Sequence, residues 1–307
     1  MMTAAPMTKR SPLEGFRSGV SAWVKAALVA AVFTAFFWRT FTNHFAYKWT
    51  HDGNWTHGWL IPLLSAYFLW IRRDDLARTE ARPAWTGAAV LTAAVAAYLY
   101  FSWIQPIRYV QGLCPVAALA GTVLLLGGYS YLRKTGFAIA YLLLAVPLPQ
   151  GVYVELTFPL RQLASVLAGA VLSLLPNVQV EVHNVIIDYV RFDTGSAGFL
   201  NVEEACSGMR LMMSFAALSL AYAHLTKTSA WGRAAIVLAC LPIAVLCNAA
   251  RVVATGLFVI YERPDLARGT PHMLLGIATL FLALGMFAVV NWILTHLWVE
   301  DGTPAGS

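Results

Sequence analysis

Charge is what this chain lacks. Only 12% of its 307 residues are Asp, Glu, Lys or Arg, about half the share near 25% that a soluble domain carries. A soluble globular fold is therefore a poor reading. Basic residues never gather into a run, so the net charge of +6 has no nucleic-acid footprint, and no nucleic-acid partner is expected. Cysteine is scarce as well. The four are Cys114, Cys206, Cys240 and Cys247, with no Cys-x-x-Cys pair. Ligand clusters for a metal are missing, and neither a metal nor another cofactor is expected. Internal repeats and low-complexity tracts are absent too.

What remains is hydrophobic. Apolar residues make up 59% of the chain and collect in long runs, the mark of a polytopic all-α membrane protein. Trp and Tyr number 11 and 12 and tend to flank those runs, as interfacial belts do. Apolar segments fall at 21–41, 59–71, 86–104, 109–128, 135–149, 204–224, 231–255 and 273–298, which predicts about eight transmembrane helices. The second and fifth are short unless flanking residues are included. Residues 1–20 read as a polar cytoplasmic segment, 21–298 as one integral-membrane domain and 299–307 as a short polar tail. The first run follows Lys9, Arg10, Arg17 and Lys25 without a small-residue cleavage site, so it reads as an uncleaved signal anchor.

Lys and Arg collect in cytoplasmic loops. Arg72, Arg73, Arg78 and Arg82, then Arg133 with Lys134, then Lys227 with Arg233 mark three such loops. Both termini then lie inside, and loops 42–58 and 261–272 lie outside. Residues 156–175 are apolar enough to cross, but a crossing there would invert everything downstream against Lys227 and Arg233. Pro147, Pro149, Glu155, Pro159 and Arg161 interrupt its start, so 150–175 reads as a re-entrant or interfacial helix on the outer side. Residues 177–202 alternate as strands do, with Gly195 and Gly198 as turn residues. They predict a small extracytoplasmic β-like insert.

That insert leads into Asn201-Val-Glu-Glu-Ala-Cys-Ser-Gly-Met-Arg210. Cys206 opens a helix, where the partial positive charge and free N–H donors favour a thiolate. Cys114, Cys240 and Cys247 sit inside apolar helices, the usual place of an inert thiol. Arg251 lies among Cys247, Ala249, Ala250, Val252 and Val253. It reads either as an anchor that snorkels to the headgroups or as a group facing protein or water, because a charge is costly to insert otherwise. Asn248 is three residues earlier on the same face and either satisfies Arg251 or a carbonyl. His272 follows Pro271 at the start of the last span; alone it reads as a helix-start residue. The charge counts nevertheless put Cys206, Arg251 and His272 at one depth on the outer side. Arg210 lies four residues after Cys206 on the same face; it either pairs with Glu203 or holds a substrate carboxylate. Glu203 and Glu204 cap the helix dipole, and Ser207 stands beside the thiol. The outer loop holds His51, Asp52 and His57, a weak metal spacing and more simply a solvated loop.

These residues suit thiol acyl transfer: Cys206 as nucleophile, Arg251 as electrostatic partner, His272 as proton carrier. The chain resembles the exosortases, and more distantly the archaeosortases, in Ala205-Cys206-Ser207-Gly208-Met209-Arg210, in Asn248-Ala-Ala-Arg251 and in His272 opening the last span. His57-Gly58-Trp59-Leu60-Ile61-Pro62, the span ending in Arg72-Arg73, and Val146-Pro147-Leu148-Pro149 resemble the family too. The resemblance covers about residues 40–298. It implies a cysteine endopeptidase and transpeptidase of the inner membrane with its site facing the periplasm. Its substrates would be membrane-anchored secreted proteins ending in a Pro-Glu-Pro motif, a transmembrane helix and a basic tail. The resemblance further implies an association with exopolysaccharide production, and expects none of the extra C-terminal domain of some exosortases. Archaeosortases tend to carry arginine where His272 stands, which favours the exosortase branch. The rival reading is a transporter or flippase for an exopolysaccharide precursor, since intramembrane Arg and His also mark transport paths. Two similar halves, expected of a transporter, are not found. A non-catalytic scaffold is the third reading.

Overall fold

Lipid offers no partner to a backbone N–H or C=O, so apolar runs in it satisfy their hydrogen bonds within helices. The computed structural model describes residues 24, 27–202, 209–226, 229–263 and 269–297. A first helical stretch passes through Trp38–Thr40, a π-helical turn at Phe41–Ala46 and Tyr47–His51, and a 3-10 segment follows at Gly53–Trp59. The longer helices are α1 (Leu60–Ile71), α2 (Trp85–Trp103), α3 (Arg108–Tyr141), α4 (Gln150–Leu172), α5 (Met209–Leu225), α6 (Ala230–Ile260) and α7 (Gly269–Leu297). Strands β1 (Val178–His183), β2 (Ile186–Arg191) and β3 (Ala197–Asn201) lie between α4 and α5.

Among the described residues, four helical stretches are long and apolar enough to cross a membrane: Trp85–Trp103, Arg108–Ala145, Ala230–Ile260 and Leu274–Leu294. The expected eight spans thus hold only in the coarser form of a mostly helical, multi-pass chain. Arg108–Tyr141 is itself two helices, because Gly128 breaks the helical path at φ 80° and ψ −171°. An uninterrupted helix would hold positions 112 and 146 about 50 Å apart. Instead, a Cβ added at Gly112 would lie 2.8 Å from Val146 Cγ1. The chain reverses at Gly128, so the two runs at 109–128 and 135–149 are separate antiparallel arms.

Two segments take a more specific form than the expectation. The predicted span at 59–71 holds an α-helix of only 12 residues, ~18 Å long, well short of a hydrocarbon core of about 30 Å. Its start is diverted into the 3-10 segment, where Trp55 and Gly58 are buried and Gly58 sits against the Trp49 ring. The segment expected to be re-entrant or interfacial is a continuous helix of 23 residues. It does not fold back. Pro159 is accommodated inside it, and small residues hold it to α6: Ala164 clusters with Val245 and Ala249, and Leu172 Cδ1 would lie 2.9 Å from a Cβ at Gly256. That order of contacts makes α4 and α6 run in the same direction.

The charged loops share one end of the bundle, as the charge counts anticipate. Arg72 Nη1 donates to the Lys134 carbonyl at 3.2 Å, and Lys134 Nζ donates to Thr79 Oγ1 at 2.8 Å. The sheet is antiparallel in the order β1-β2-β3, with Val180 opposite Tyr189 and Ile187 opposite Leu200. Ile187, Tyr189, Leu200 and Val202 are buried with Val252 and Ile260 of α6. The strand alternation expected for 177–202 is therefore real, and its apolar side seats the insert on the end of α6. Gly195 turns the chain at φ 70°, whereas Gly198 lies inside β3, where its missing side chain makes room for the Tyr189 ring. Residues 1–20 and 299–307 lie outside the described residues.

Gly128 is the sharpest test of the hairpin. Its backbone occupies a region open essentially to glycine, and a Cβ there would collide with the Arg82 carbonyl. Gly128→Val should cost about 1–3 kcal/mol from the backbone alone, more with the collision. Detergent-solubilised variant should melt several degrees lower than wild type. An unchanged melting temperature would contradict a reversal at this residue.

Candidate functional site

The site is built outward from α6. Its first turn is capped by Ser229, whose Oγ accepts from the Gly232 N–H at 3.2 Å. Further along the same helix, Arg251 is 5% exposed. Its guanidinium turns toward α7, where a Cβ at Gly276 would lie 3.9 Å from Nη2. Gly276 is thus the α7 residue beside the cation, at ordinary contact distance. His272 is one turn earlier in α7 than Gly276, on the same helical face by its spacing of four. The α6–α7 seam thus sets Arg251 beside Gly276, four residues after His272. Asn248 lies one turn before Arg251; its Oδ1 is buried and makes no hydrogen bond among the described residues.

Cys206, Glu204 and Ser207 lie outside the described residues, as do the side chains of Arg210 and His272. The flanks of the cysteine segment are described. Upstream, Val202 is 1% exposed and buried in the same cluster as Val252, the residue after Arg251. Downstream, α5 begins at Met209 and packs between α6 and the Gly53–Trp59 segment. The other three cysteines are buried and free, with Cys247 Sγ against Met286 Sδ at 3.9 Å.

The 3-10 segment carries His57 inward. Its ring lies 5.6 Å from that of Trp55, which in turn lies 5.9 Å from Tyr153 at the start of α4. Trp49 supports this layer from behind, with its Nε1 donating to the Ala145 carbonyl at 2.9 Å. Both ring nitrogens of His57 are buried and make no well-formed hydrogen bond among the described residues. Burial pushes its pKa below the ordinary imidazole value, with nearby backbone groups of Leu144 and Asn54 offsetting part of the effect. Two polar side chains of this loop have local partners. Asp52 pairs with Lys48 at 3.0 Å and accepts from the Asn54 N–H at 3.1 Å, while His51 Nδ1 bonds the Tyr47 carbonyl at 3.0 Å.

One residue of the neighbourhood is hidden in the sequence by its company. Arg161 stands among helix-interrupting residues, yet it is 7% exposed in α4, one turn before Ala164, which packs on Val245 and Ala249 of α6. The signal was its place at the head of an apolar run, where a buried Arg is costly and therefore informative.

The neutral imidazole of His57 gives a pH signature. Its folded pKa is lowered, so below about pH 6.5 the unfolded chain takes up a proton that the folded chain refuses. Folded stability should therefore fall as pH drops through that range. His57→Phe should lessen the fall without lowering the melting temperature at about pH 7.5, because it removes a buried polar group that makes no well-formed hydrogen bond. Thermal melts across roughly pH 5–8 check both. An unchanged pH slope in the variant would show that His57 is not the group concerned.

A search of curated proteins and a search of solved structures each give no match. A family model described as transmembrane exosortase matches residues 49–289. The matched region runs from Trp49 through the Trp55–His57 layer, the α3 hairpin, the sheet and the Arg251–Gly276 seam. It covers well over half of the chain, and the chain belongs to the transmembrane exosortase family.

Proposed function

We propose that this protein is a membrane cysteine peptidase and transpeptidase that cleaves the C-terminal sorting signal of secreted proteins at the outer face of the inner membrane. The observation that carries the reading is the pairing of a buried guanidinium with the start of α7. Arg251 reaches α7 one turn from His272. Covalent reach supports the third member. Cys206 is four residues beyond Val202, which can extend at most about 14 Å, and Val202 is buried with the neighbour of Arg251.

In this reading the Cys206 thiolate attacks the scissile carbonyl. A C–S bond forms, and the tetrahedral oxyanion and thiolate are held by the Arg251 cation, which does not titrate. The C–N bond then breaks, and the leaving amine takes a proton from His272. A water or an acceptor amine gives its proton back to His272 and attacks the thioester, releasing Cys206. Asn248, Arg210, Glu204 and Ser207 are assigned to positioning and substrate binding around that carbonyl, and His57 to the apposed wall. The substrate would be a protein tethered by one helix after a Pro-Glu-Pro motif, with a basic tail. Tethering confines it to the bilayer plane, so a modest soluble surface is enough to capture it. The transporter reading has no equivalent support, because it gives no reason for a thiol segment joined directly to this seam.

The test is co-expression with a tagged secreted protein bearing such a signal. Cys206→Ala should abolish cleavage. Arg251→Gln should lower its rate by about 10²–10³, the usual weight of a lost oxyanion donor, and Arg251→Lys should recover only part. His272→Ala should fall by about 10²–10⁴ and shift the pH profile. Cleavage that survives in Cys206→Ala removes the nucleophile and with it the mechanism. Hydroxylamine release of a labelled substrate fragment from wild type would identify the thioester.

A further inference from the structure

A cavity of about 650 Å³ opens between the first helical stretch and the outer ends of α2 and α3. It lies away from the catalytic seam and shares no residue with it. Two permanent cations, Arg39 and Arg108, lie on its wall beside the His44 imidazole and the Asn43 and Gln111 amides. Among the described residues no carboxylate lines it. The ion pairs among the described residues are made elsewhere, and none of them neutralises either arginine. His44 is 8% exposed, and its Nδ1 is buried without a partner among the described residues. By contrast a neutral polar pair of the same wall is engaged: Thr40 Oγ1 donates to Tyr98 Oη at 3.1 Å. These hydroxyls are satisfied, while the imidazole is not.

The position adds a second argument. The basic loops of the bundle meet at the other end, where Arg72 and Lys134 join and Gly128 turns the chain. Lys and Arg ordinarily gather at that one end, so two arginines facing a single cavity at the opposite end call for an anion. The outer wall is aromatic and faces the surroundings of the bundle: Trp38 is 59% and Trp103 74% exposed, with Phe36 at 42%. A free phosphate has no use for that apolar rim. A phospholipid has, because its phosphate meets the guanidinium forks while its glycerol and first methylenes meet the rings.

We propose that this cavity binds the phosphate of an anionic phospholipid, with Arg39, Arg108 and the free ring nitrogen of His44 as its contacts. Phosphatidylglycerol is the probe. The assignment does not rest on the peptidase reading.

Purified full-length protein would be titrated with phosphatidylglycerol and with phosphatidylcholine in detergent and examined by native mass spectrometry. Retention should favour phosphatidylglycerol by roughly tenfold, and Arg39→Gln/Arg108→Gln should lose that preference. Equal retention of the two lipids, or an undiminished preference in the double variant, overturns the proposal. Because the double variant can fail to fold, wild type is also labelled with phosphatidylglycerol carrying a diazirine beside the glycerol. Label should enter residues 35–44 and 98–111, and unlabelled phosphatidylglycerol should compete it away. Label confined to other segments overturns the site. Competition by millimolar inorganic phosphate equal to that by the lipid would make it a free-phosphate site and sink the lipid assignment.

Discussion

A guanidinium held at 5% exposure in an apolar helix is the constraint around which the rest of this molecule is arranged. Arg cannot shed its charge, and a charge withdrawn from water is costly unless protein or trapped solvent surrounds it. The fold answers with three adjustments around one point of α6. Gly276 of α7 lies beside the guanidinium at ordinary contact distance. The sheet packs on the C-terminal half of the helix through Val202, Leu200 and Ile187. On another side of α6, Val245 and Ala249 bring α4 close through Ala164. Each is a packing device, and together they leave a polar point inside an otherwise apolar seam.

Close approach recurs as the means of construction, because lipid supplies no hydrophobic drive to press helices together. Glycine does that work at the α2–α3 contact, where a Cβ at Gly121 would lie 2.7 Å from the Leu91 nitrogen. The reversal at Gly128 lets one continuous apolar stretch become two arms. The second arm leads to Ala145, whose carbonyl accepts a hydrogen bond from Trp49 Nε1, and so fixes the layer from which His57 projects. A backbone bend at one end of the bundle therefore sets the wall of the candidate site near its middle.

The sequence was legible where physical chemistry acts locally. Strand alternation over 177–202 became a three-stranded sheet with Gly195 at its turn; the basic loops met at one end because their charges obey the same rule. It was less legible where tertiary contacts decide. Nothing in Trp59–Ile71 alone says that the residues before it tighten into a 3-10 segment, where Gly58 lies against the Trp49 ring. Gly198 looks like a turn residue until Tyr189 is seen lying across it. Pro159 and Arg161 look like helix breakers when read in line, yet α4 continues through both because α6 holds it. The site divides the same way. Arg251 and Asn248 announced themselves as polar groups in an apolar run, whereas Arg161 was obscured by the prolines around it.

In the proposed function, the junction between sheet and helix is where an acyl-transfer site in a membrane would gain most. A thiol deep in the bilayer would stay protonated and meet no acceptor. A thiol out in solvent would forfeit the electrostatic strength of a low-dielectric site. The described flanks suit that reading: β3 is followed by the buried Val202, and the next helix begins at Met209. The sheet fixes one end of that short connection to α6, and α5 fixes the other. Tethering both ends of a short connection removes conformations that a free chain would otherwise have to give up when a substrate carbonyl arrives. That is the condition under which a fixed cation can favour the transition state over the ground state.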